Sequence, residues 1–340
     1  MPTLDFFHRY HYALSEIHGS FDLGTTQEAV VRNAALLFRA KGAGLILFTP
    51  DEDTLIVSAA FGLSESYRSK GALSPSRSLG ETAGRTPVVV QDVATDPRVQ
   101  YRDAALQEGI RGIIGLPLSG GCVLLGALRL YFAAAPDFPP EEMATLEAFA
   151  AQAGLALKKA FYFASMKEAA DEIQAMPAMD HKVALEALLR TFARYARARG
   201  SALLLLDPRT RAMGSVVRFG LSERYRSKGP VFAGVSLGEI EEGRPVIVSN
   251  AAIDPRVQYK EAAAEEGVKA ILGLPVRIGS EVAGALRLYY PFEFQPDADY
   301  IVWMEHLAHQ AGTALEKARM LIQLKEKSDW YEEMLRHFEK

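Results

Sequence analysis

The sequence contains one unit twice, and this duplication limits the possible folds more than any other feature. Residues 61–131 align with residues 219–289 at a constant shift of 158 positions without a gap, and 39 of the 71 aligned positions are identical. This period is far longer than that of solenoid repeats. A chain of 340 residues is long enough for two domains with a core each. The repeat therefore predicts two related globular domains.

Each copy shows the same succession of secondary-structure signals. Apolar residues at helical spacing come first, and short apolar runs separated by turn residues follow. The predicted order is a helix, two strands, a crossover, one strand, a helix, two strands and a final helix. In the first copy the strands are expected at 45–48, 55–60, 87–90, 110–118 and 122–132. Helices on an antiparallel sheet place each copy in the α+β class.

The second helix of each copy has a start signal of its own. Asp96 stands before Pro97, which predicts Asp96 as N-cap and Pro97 as the first helical residue. This helix is expected to run to Glu108, because Gly109 follows. The long helix after the hairpin is predicted from about 141 to 175, and the last helix of the chain from about 299 towards 338.

Several short motifs recur in both copies at the same spacing. They are Asp96-Pro97-Arg98, Gly115-Leu116-Pro117, the run from Gly126 to Tyr131, and Gln152-Ala153-Gly154. In order and spacing each half of the chain resembles a GAF domain. The resemblance implies a six-stranded antiparallel sheet with a small-molecule pocket on one face and helices on the other. It also implies a short edge strand near Ser78 to Glu81, and helices that often form dimers.

The resemblance and the repeat together divide the chain into five parts. We predict an N-terminal helix, a GAF-like domain, a helical linker, a second GAF-like domain and a C-terminal helix, with the bounds 1–22, 23–160, 161–180, 181–318 and 319–340.

The sequence lacks the residues that common enzyme chemistries need. It has no glycine-rich phosphate loop, no Gly-x-Ser-x-Gly motif and no His-Glu-x-x-His motif. Its single cysteine, Cys122, excludes an internal disulfide and a cysteine-only metal cluster. We therefore expect no catalytic residue, no metal site and no enzymatic activity, and no cofactor is indicated.

Charge and hydropathy restrict the partners. The formal net charge of −4 offers no basic field for nucleic acid, and no apolar run is long enough to cross a bilayer as a helix. No signal peptide is visible at the N-terminus. We expect a cytoplasmic protein that binds neither nucleic acid nor membrane.

A charged side chain on the last strand of each copy is the first candidate for a binding site. Strand alternation places Arg129 and Tyr131 on one face and Leu128 on the other. A buried guanidinium requires a carboxylate or an anionic ligand. Glu108 is the candidate internal partner, and a structural Arg–Glu pair and a ligand-binding arginine both remain open. In the second copy the same residues are Arg287, Tyr289 and Glu266.

A second candidate lies in the crossover after the second strand. Arginine, lysine and a hydroxyl stand close together there and could hold a carboxylate or phosphate. A solvated short helix with its tyrosine packed inward is the alternative. The candidate residues are Tyr67, Arg68 and Lys70, with Tyr225, Arg226 and Lys228 in the second copy, and with Gln100, Tyr101, Gln258 and Tyr259 after the Asp-Pro-Arg motifs.

These features predict a tandem sensor. We expect it to bind a small, anionic metabolite of unknown identity and to signal to a separate partner protein. The alternative is a ligand-free scaffold with filled cores. An apolar seam at Leu321, Leu324, Tyr331, Leu335 and Phe338 continues beyond the second domain, and it favours a homodimer formed by long helices.

Overall fold

The structure is a computed structural model. It describes residues 4–48, 55–71, 73–74, 80, 84–176, 180–234 and 236–338. The chain forms two compact units, residues 1–164 and 165–340. Both have the α+β architecture that the sequence predicts.

The first unit follows the predicted order of elements. Its sheet is antiparallel with the strand order β2-β1-β5-β4-β3. The elements are α1 (Leu4–His18), α2 (Leu23–Leu37), β1 (Gly42–Phe48), β2 (Leu55–Phe61), α3 (Glu65–Arg68), β3 (Val88–Val90), α4 (Arg102–Gln107), β4 (Gly112–Gly120), β5 (Val123–Phe132) and α5 (Pro140–Ala175), which continues into the second unit.

Among the described residues, the second unit repeats this order with one more short strand and one more short helix. Its sheet is antiparallel with the order β8-β7-β6-β11-β10-β9. The elements are α6 (His181–Ala196), β6 (Gly200–Leu206), β7 (Ala212–Phe219), α7 (Glu223–Arg226), β8 (Val231–Phe232), α8 (Glu239–Glu242), β9 (Val246–Val248), α9 (Lys260–Glu265), β10 (Ala270–Ile278), β11 (Glu281–Tyr290) and α10 (Ala298–Phe338).

Side chains of β5 alternate between two layers of the first unit, as the strand pattern predicts. Leu128 and Leu130 pack in a large apolar core with residues of α2 and α5, such as Ala34 and Phe149. Tyr131 packs on the other face in a smaller cluster with Tyr67, Val90 and Ile113. The sheet therefore separates a helical layer from the face that holds the candidate site.

The predicted helix start at Asp96 is wrong. Helix α4 begins at Arg102, after Tyr101, whose side chain makes no capping hydrogen bond. Asp96 Oδ1 instead accepts hydrogen bonds from the backbone N of Arg98 at 2.9 Å and from the Arg98 Nε at 3.0 Å. The Asp96 carboxylate therefore has its hydrogen-bond donors in a tight turn that it forms with Arg98. Because of this turn, helix α4 begins later in the chain than predicted. Asp254 and Arg256 form the same turn before α9.

The sixth strand that the resemblance implied is seen in the second unit. In the second unit it is β8, whose Ala212–Phe232 and Met213–Val231 pairings join it to β7. The first unit has a single bridge between Leu55 and Leu73 at the corresponding place. The expected strand near Ser78 to Glu81 lies outside the described residues, except for Gly80, which is a bend.

Helix α10 extends well beyond the sheet of the second unit. Its exposed apolar side chains include Met320, Ile322, Leu324 and Trp330. The side chains of Tyr331, Leu335 and Phe338, which belong to the predicted apolar seam, lie outside those described. Among the described residues no helix has the length and hydropathy to cross a membrane.

Candidate functional site

Each unit has a small pocket between its sheet and its short helices, and most of the candidate residues line it. In the first unit the lining residues are Tyr67, Lys70, Leu73, Arg98, Val99, Gln100, Tyr101, Ile113, Arg129 and Tyr131. In the second they are Tyr225, Lys228, Val231, Ser236, Leu237, Val257, Gln258, Tyr259, Ile271, Arg287 and Tyr289. We call these the tyrosine–lysine pockets. The repeat thus brings the same polar groups together twice.

A pair of perpendicular tyrosine rings forms the wall of each pocket. The ring centroids of Tyr67 and Tyr131 are 5.6 Å apart at 83°, and those of Tyr225 and Tyr289 are 5.7 Å apart at 80°. Edge-to-face packing of this kind is favourable for aromatic rings. Burial raises the pKa of Tyr67 far above its ordinary value. Burial likewise raises the pKa of Tyr225 and Tyr289, so these three rings form neutral walls.

A half-buried lysine lies against each outer tyrosine. The Lys70 Nζ is 3.7 Å from the ring centroid of Tyr67, and it donates a hydrogen bond of 3.0 Å to the Tyr67 carbonyl. Lys228 makes the same contacts with Tyr225 at 3.5 and 3.3 Å. Burial, together with the charge of nearby arginines, lowers the pKa of each amine to about 8. The ammonium form is therefore held at a cost in free energy.

The arginine on the last strand of the second unit has an internal carboxylate partner. Arg287 is 4% exposed, and its Nε donates to Glu239 Oε1 at 2.6 Å. Its Nη1 donates to Ser236 Oγ at 3.1 Å. Glu239 is fully buried and lies over Gly273, where a Cβ would approach its Cδ to 3.0 Å. The arginine is thus fixed against the sheet by an ion pair.

The expected pairing of Arg287 with Glu266 is therefore wrong. Glu266 accepts a hydrogen bond of 2.9 Å from the backbone N of Ser222 and another from the Ser222 hydroxyl. In the first unit Glu108 accepts the same two bonds from Ser64. Arg129 is 4% exposed, and the position that corresponds to Glu239 is Glu81, which lies outside the described residues.

Glu108 and Glu266 act instead as anchors of the short helices. Ser64 caps α3 by accepting a hydrogen bond from the backbone N of Tyr67, and Glu108 holds that serine. Although burial opposes it, hydrogen bonding from Ser64 keeps the pKa of Glu108 below its ordinary value. Each glutamate thereby fixes the helix that carries a pocket tyrosine.

Glutamine and tyrosine close the other side of each pocket. Gln258 Nε2 and the Tyr259 hydroxyl both donate to the Pro230 carbonyl, at 3.2 and 2.8 Å. In the first unit Gln100 Oε1 accepts from the backbone N of Ser74 at 3.1 Å. The hydroxyl of Tyr101 lies against Gly71, at φ 122°, where a Cβ would be 2.6 Å from it.

Like the two glutamates, the candidate residues Arg68 and Arg226 do not line the pockets. Arg68 is exposed. Arg226 is half-buried and forms an ion pair with Glu223 on its own helix, with 3.3 Å between Nη1 and Oε2. Neither arginine therefore belongs to the pocket of its unit.

The pockets are nearly filled by their own side chains. Each encloses a cavity of about 20 Å³. A cavity of that size holds about one water molecule. Among the described residues, no group of three or more histidine, cysteine or carboxylate side chains could hold a metal ion.

Sequence reasoning missed Ser236 and Glu239, although the repeat carries a signal for them. The tetrapeptide Ser236-Leu237-Gly238-Glu239 recurs as residues 78–81 within the aligned region. Leu237 has a φ of 58° and Gly238 a φ of 93°. This left-handed turn directs the Glu239 carboxylate towards the sheet. The periodicity of apolar residues gives no indication of such a turn.

Fold and site define a duplicated α+β domain with a pocket on one face of an antiparallel sheet and helices on the other. The sequence matches the GAF domain family over residues 22–158 and 178–316. The chain belongs to this family and carries two copies of its domain, which confirms the resemblance seen in the sequence. GAF domains are sensory or ligand-binding domains of signalling proteins.

Several solved structures are similar to one half of the chain. A GAF domain from a phosphoenolpyruvate-protein phosphotransferase of Coxiella burnetii is 18% identical, with a TM-score of 0.42, covering 47% of this chain and 95% of that chain. Free methionine-R-sulfoxide reductase from Neisseria meningitidis is 16% identical, with a TM-score of 0.39 and coverages of 48% and 92%. A GAF domain/HD domain protein from Geobacter sulfurreducens is 16% identical, with a TM-score of 0.36 and coverages of 43% and 97%. No curated protein matches the chain.

Proposed function

We propose that this tandem GAF protein is a sensor that binds a small anionic metabolite in its tyrosine–lysine pockets and signals to a separate partner protein. One observation carries the proposal. In both units a half-buried lysine, whose pKa is lowered to about 8, lines the same cavity as a buried arginine. Two cations converge on one small space.

The charges of the second unit favour an anion. Glu239 neutralises Arg287, while the described contacts of the Lys228 amine are neutral, namely the ring and the carbonyl of Tyr225. After burial, the charge of Arg218 is a cause of the lowered pKa of Lys228. A carboxylate or phosphate beside Lys228 would offset the desolvation of its ammonium group.

A ligand larger than water requires the pocket to open. The crossover segments, residues 64–71 and 222–229, carry the outer tyrosine and the lysine of each pocket. Each segment is held by the hydrogen bonds from its serine to Glu108 or Glu266. Ligand binding would shift the population from closed to open segments, and such a shift is the signal of a sensor.

We place the output on the long helices. The exposed apolar side chains Met320, Ile322, Leu324 and Trp330 on α10 offer a surface for a partner helix or for a second copy of the chain. A twofold homodimer that buries this surface is the arrangement we propose. We also propose that the protein acts in the cytoplasm and catalyses no reaction, with any enzymatic step left to its partner.

Native mass spectrometry and calorimetry test the sensor. A small acid that co-purifies with the protein, or saturable binding of inorganic phosphate or succinate at constant ionic strength, would support it. Lys70→Met and Lys228→Met should each remove one site, and the double variant should remove both. Arg226→Met is the matched control, because Arg226 shares a segment with Lys228 without lining the pocket.

The second candidate function is a ligand-free scaffold, and the cavity size of about 20 Å³ favours it. A scaffold would show no co-purified molecule and no anion binding, and its oligomeric state would be the same in the lysine variants. That combination of results would overturn the sensor proposal.

A further inference from the structure

The helical side of the first unit contains a cleft that is much larger than the tyrosine–lysine pockets. Its volume is about 560 Å³, which lies within the range of small-molecule sites. Phe6 of α1, Phe38 after α2, Phe132 of β5 and Phe138 before α5 contribute its aromatic walls. Phe38 and Phe132 belong to the core on the helical face of the sheet. The cleft therefore lies on the face opposite the tyrosine–lysine pocket and shares no residue with it.

The second unit fills the corresponding space with aromatic side chains of its own. The shift of 158 positions continues without a gap through the start of the last helix of each unit. It pairs Ala134 with Phe292, Pro136 with Phe294 and Glu142 with Tyr300. The ring centroids of Tyr290 and Phe294 are 4.7 Å apart, and those of Phe294 and Tyr300 are 5.0 Å apart. The cleft of the first unit is thus the space that three rings occupy in the second.

Each unit has an arginine at the edge of this space, and the two arginines differ in their contacts. Arg39 and Arg197 both follow the second helix of their unit with a positive φ, of 52° and 54°. The Arg197 guanidinium lies 5.9 Å from the ring centroid of Phe292. Arg39 lines the cleft beside Ala134, and it has no hydrogen bond or ion pair with the part of the chain that the structure describes. Arg197 contacts the ring of Phe292, whereas Arg39 has the small side chain of Ala134 at the corresponding position.

The charged side chains that line the cleft indicate which chemical class of ligand it could bind. Arg9 is already paired with Asp5 at 2.8 Å. Arg39, Asp137 and Glu142 also line the cleft, and within the described residues none of their side chains forms an ion pair. One cation and two carboxylates beside aromatic walls suit a molecule that has an aromatic ring, a carboxylate and an ammonium group.

We propose that the cleft binds a small aromatic zwitterion, of which an aromatic amino acid is the simplest example. Its ring takes the place that Phe292 and Phe294 fill in the second unit. Arg39 pairs with its carboxylate, and Asp137 and Glu142 pair with its ammonium group. The site is separate from the tyrosine–lysine pockets, so it would give the protein a second input that differs in chemistry from the first.

Calorimetry and saturation-transfer NMR of the full chain with L-phenylalanine as probe test this site. We expect saturable binding in the range of about 1 mM or tighter, where binding free energies reach about −4 kcal/mol. N-acetyl-phenylalaninamide, which has the ring without the charges, should bind at least tenfold more weakly. Leucine, which has the charges without the ring, should also bind at least tenfold more weakly.

Three substitutions locate the binding. Ala134→Phe introduces the residue of the second unit at an exposed position and should abolish binding, and Arg39→Gln should weaken it at least tenfold. Arg197→Gln is the matched control and should leave affinity unchanged, because Arg197 is the counterpart of Arg39 in the second unit and does not line the cleft. Thermal melts establish that each variant is folded. The absence of saturable L-phenylalanine binding, or binding that Ala134→Phe leaves intact, would overturn the proposal. Tighter binding of the uncharged amide than of L-phenylalanine would overturn the proposal that the ligand is a zwitterion. It would indicate that the cleft binds an aromatic side chain of a peptide.

Discussion

The buried ion pair between Arg287 and Glu239 allows a quantitative test of the pocket's architecture. The side chains are 5% and 0% exposed, and the Nε–Oε1 distance is 2.6 Å. Glu239→Gln keeps the shape and one acceptor but leaves the guanidinium buried without a counter-charge. Charge centres about 4 Å apart attract by about 4 kcal/mol at an effective dielectric constant of about 20. Removing one partner of a buried pair costs about 3–5 kcal/mol. We therefore expect a loss of about 3–4 kcal/mol in the free energy of unfolding.

The two tryptophans make this loss measurable in the full chain. Both Trp303 and Trp330 belong to the second unit, and the buried Trp303 donates from Nε1 to Ser165 Oγ at 2.9 Å. Tryptophan fluorescence during urea unfolding therefore follows the second unit. At a slope of about 2–3 kcal/mol per molar urea, the expected loss lowers the midpoint by about 1–2 M.

An exposed ion pair on the same short helix provides the control. Glu242 contacts Arg244 at 2.7 Å, but their side chains are 42% and 75% exposed. Glu242→Gln should cost less than about 1 kcal/mol. The double variant Glu239→Leu with Arg287→Met removes both charges and should lie within about 2 kcal/mol of the native protein. A loss below about 1 kcal/mol for Glu239→Gln, or a double variant as unstable as the single one, would refute the reasoning.

Three further predictions concern binding, local motion and assembly. Phosphate affinity at the second pocket should fall by up to about tenfold per pH unit above 8, because the amine of Lys228, with its pKa of about 8, must then take up a proton on binding. Phosphate titrations of the native protein and of Lys228→Met at several pH values test this. A native affinity that does not depend on pH would contradict it. Glu266→Ala should accelerate amide hydrogen exchange in 222–228 but not in 64–70, since it removes the hydrogen bonds to Ser222 and leaves those between Ser64 and Glu108. Sedimentation should find a dimer for the full chain and a monomer after truncation at Arg319, and a monomer in both would exclude the proposed dimer.

Much of the fold could be predicted from the sequence because strong local patterns and the repeat agree. The alternation along β5 correctly placed Leu128 and Tyr131 on opposite faces of the sheet. The start of α4 could not be predicted in this way. An aspartate before a proline is as compatible with a tight turn as with a helix cap, and the Arg98 guanidinium favours the turn.

The partner of Arg287 could not be predicted because it depends on tertiary structure. Glu266 stands at the end of a predicted helix on the pocket side, so periodicity favours it. Glu239 reaches the arginine through a left-handed turn at Leu237 and Gly238, which no local pattern announces. The recurrence of the tetrapeptide Ser-Leu-Gly-Glu would have identified Glu239 as a candidate, since the two copies differ at most positions around it.

The two units have similar residues on the pocket face of their sheets and different residues on the helical face. This contrast favours a sensor over a ligand-free scaffold. The tyrosine pair, the lysine and the arginine occupy identical places in both pockets. On the helical face, Ala134 and Pro136 stand where the second unit has Phe292 and Phe294. Apolar residues could replace a buried ion pair at little or no cost in stability. A scaffold that needs only filled cores gives no reason to keep the buried arginine and the desolvated lysine in both units, whereas an anion sensor requires the lysine as the cation that contacts its ligand.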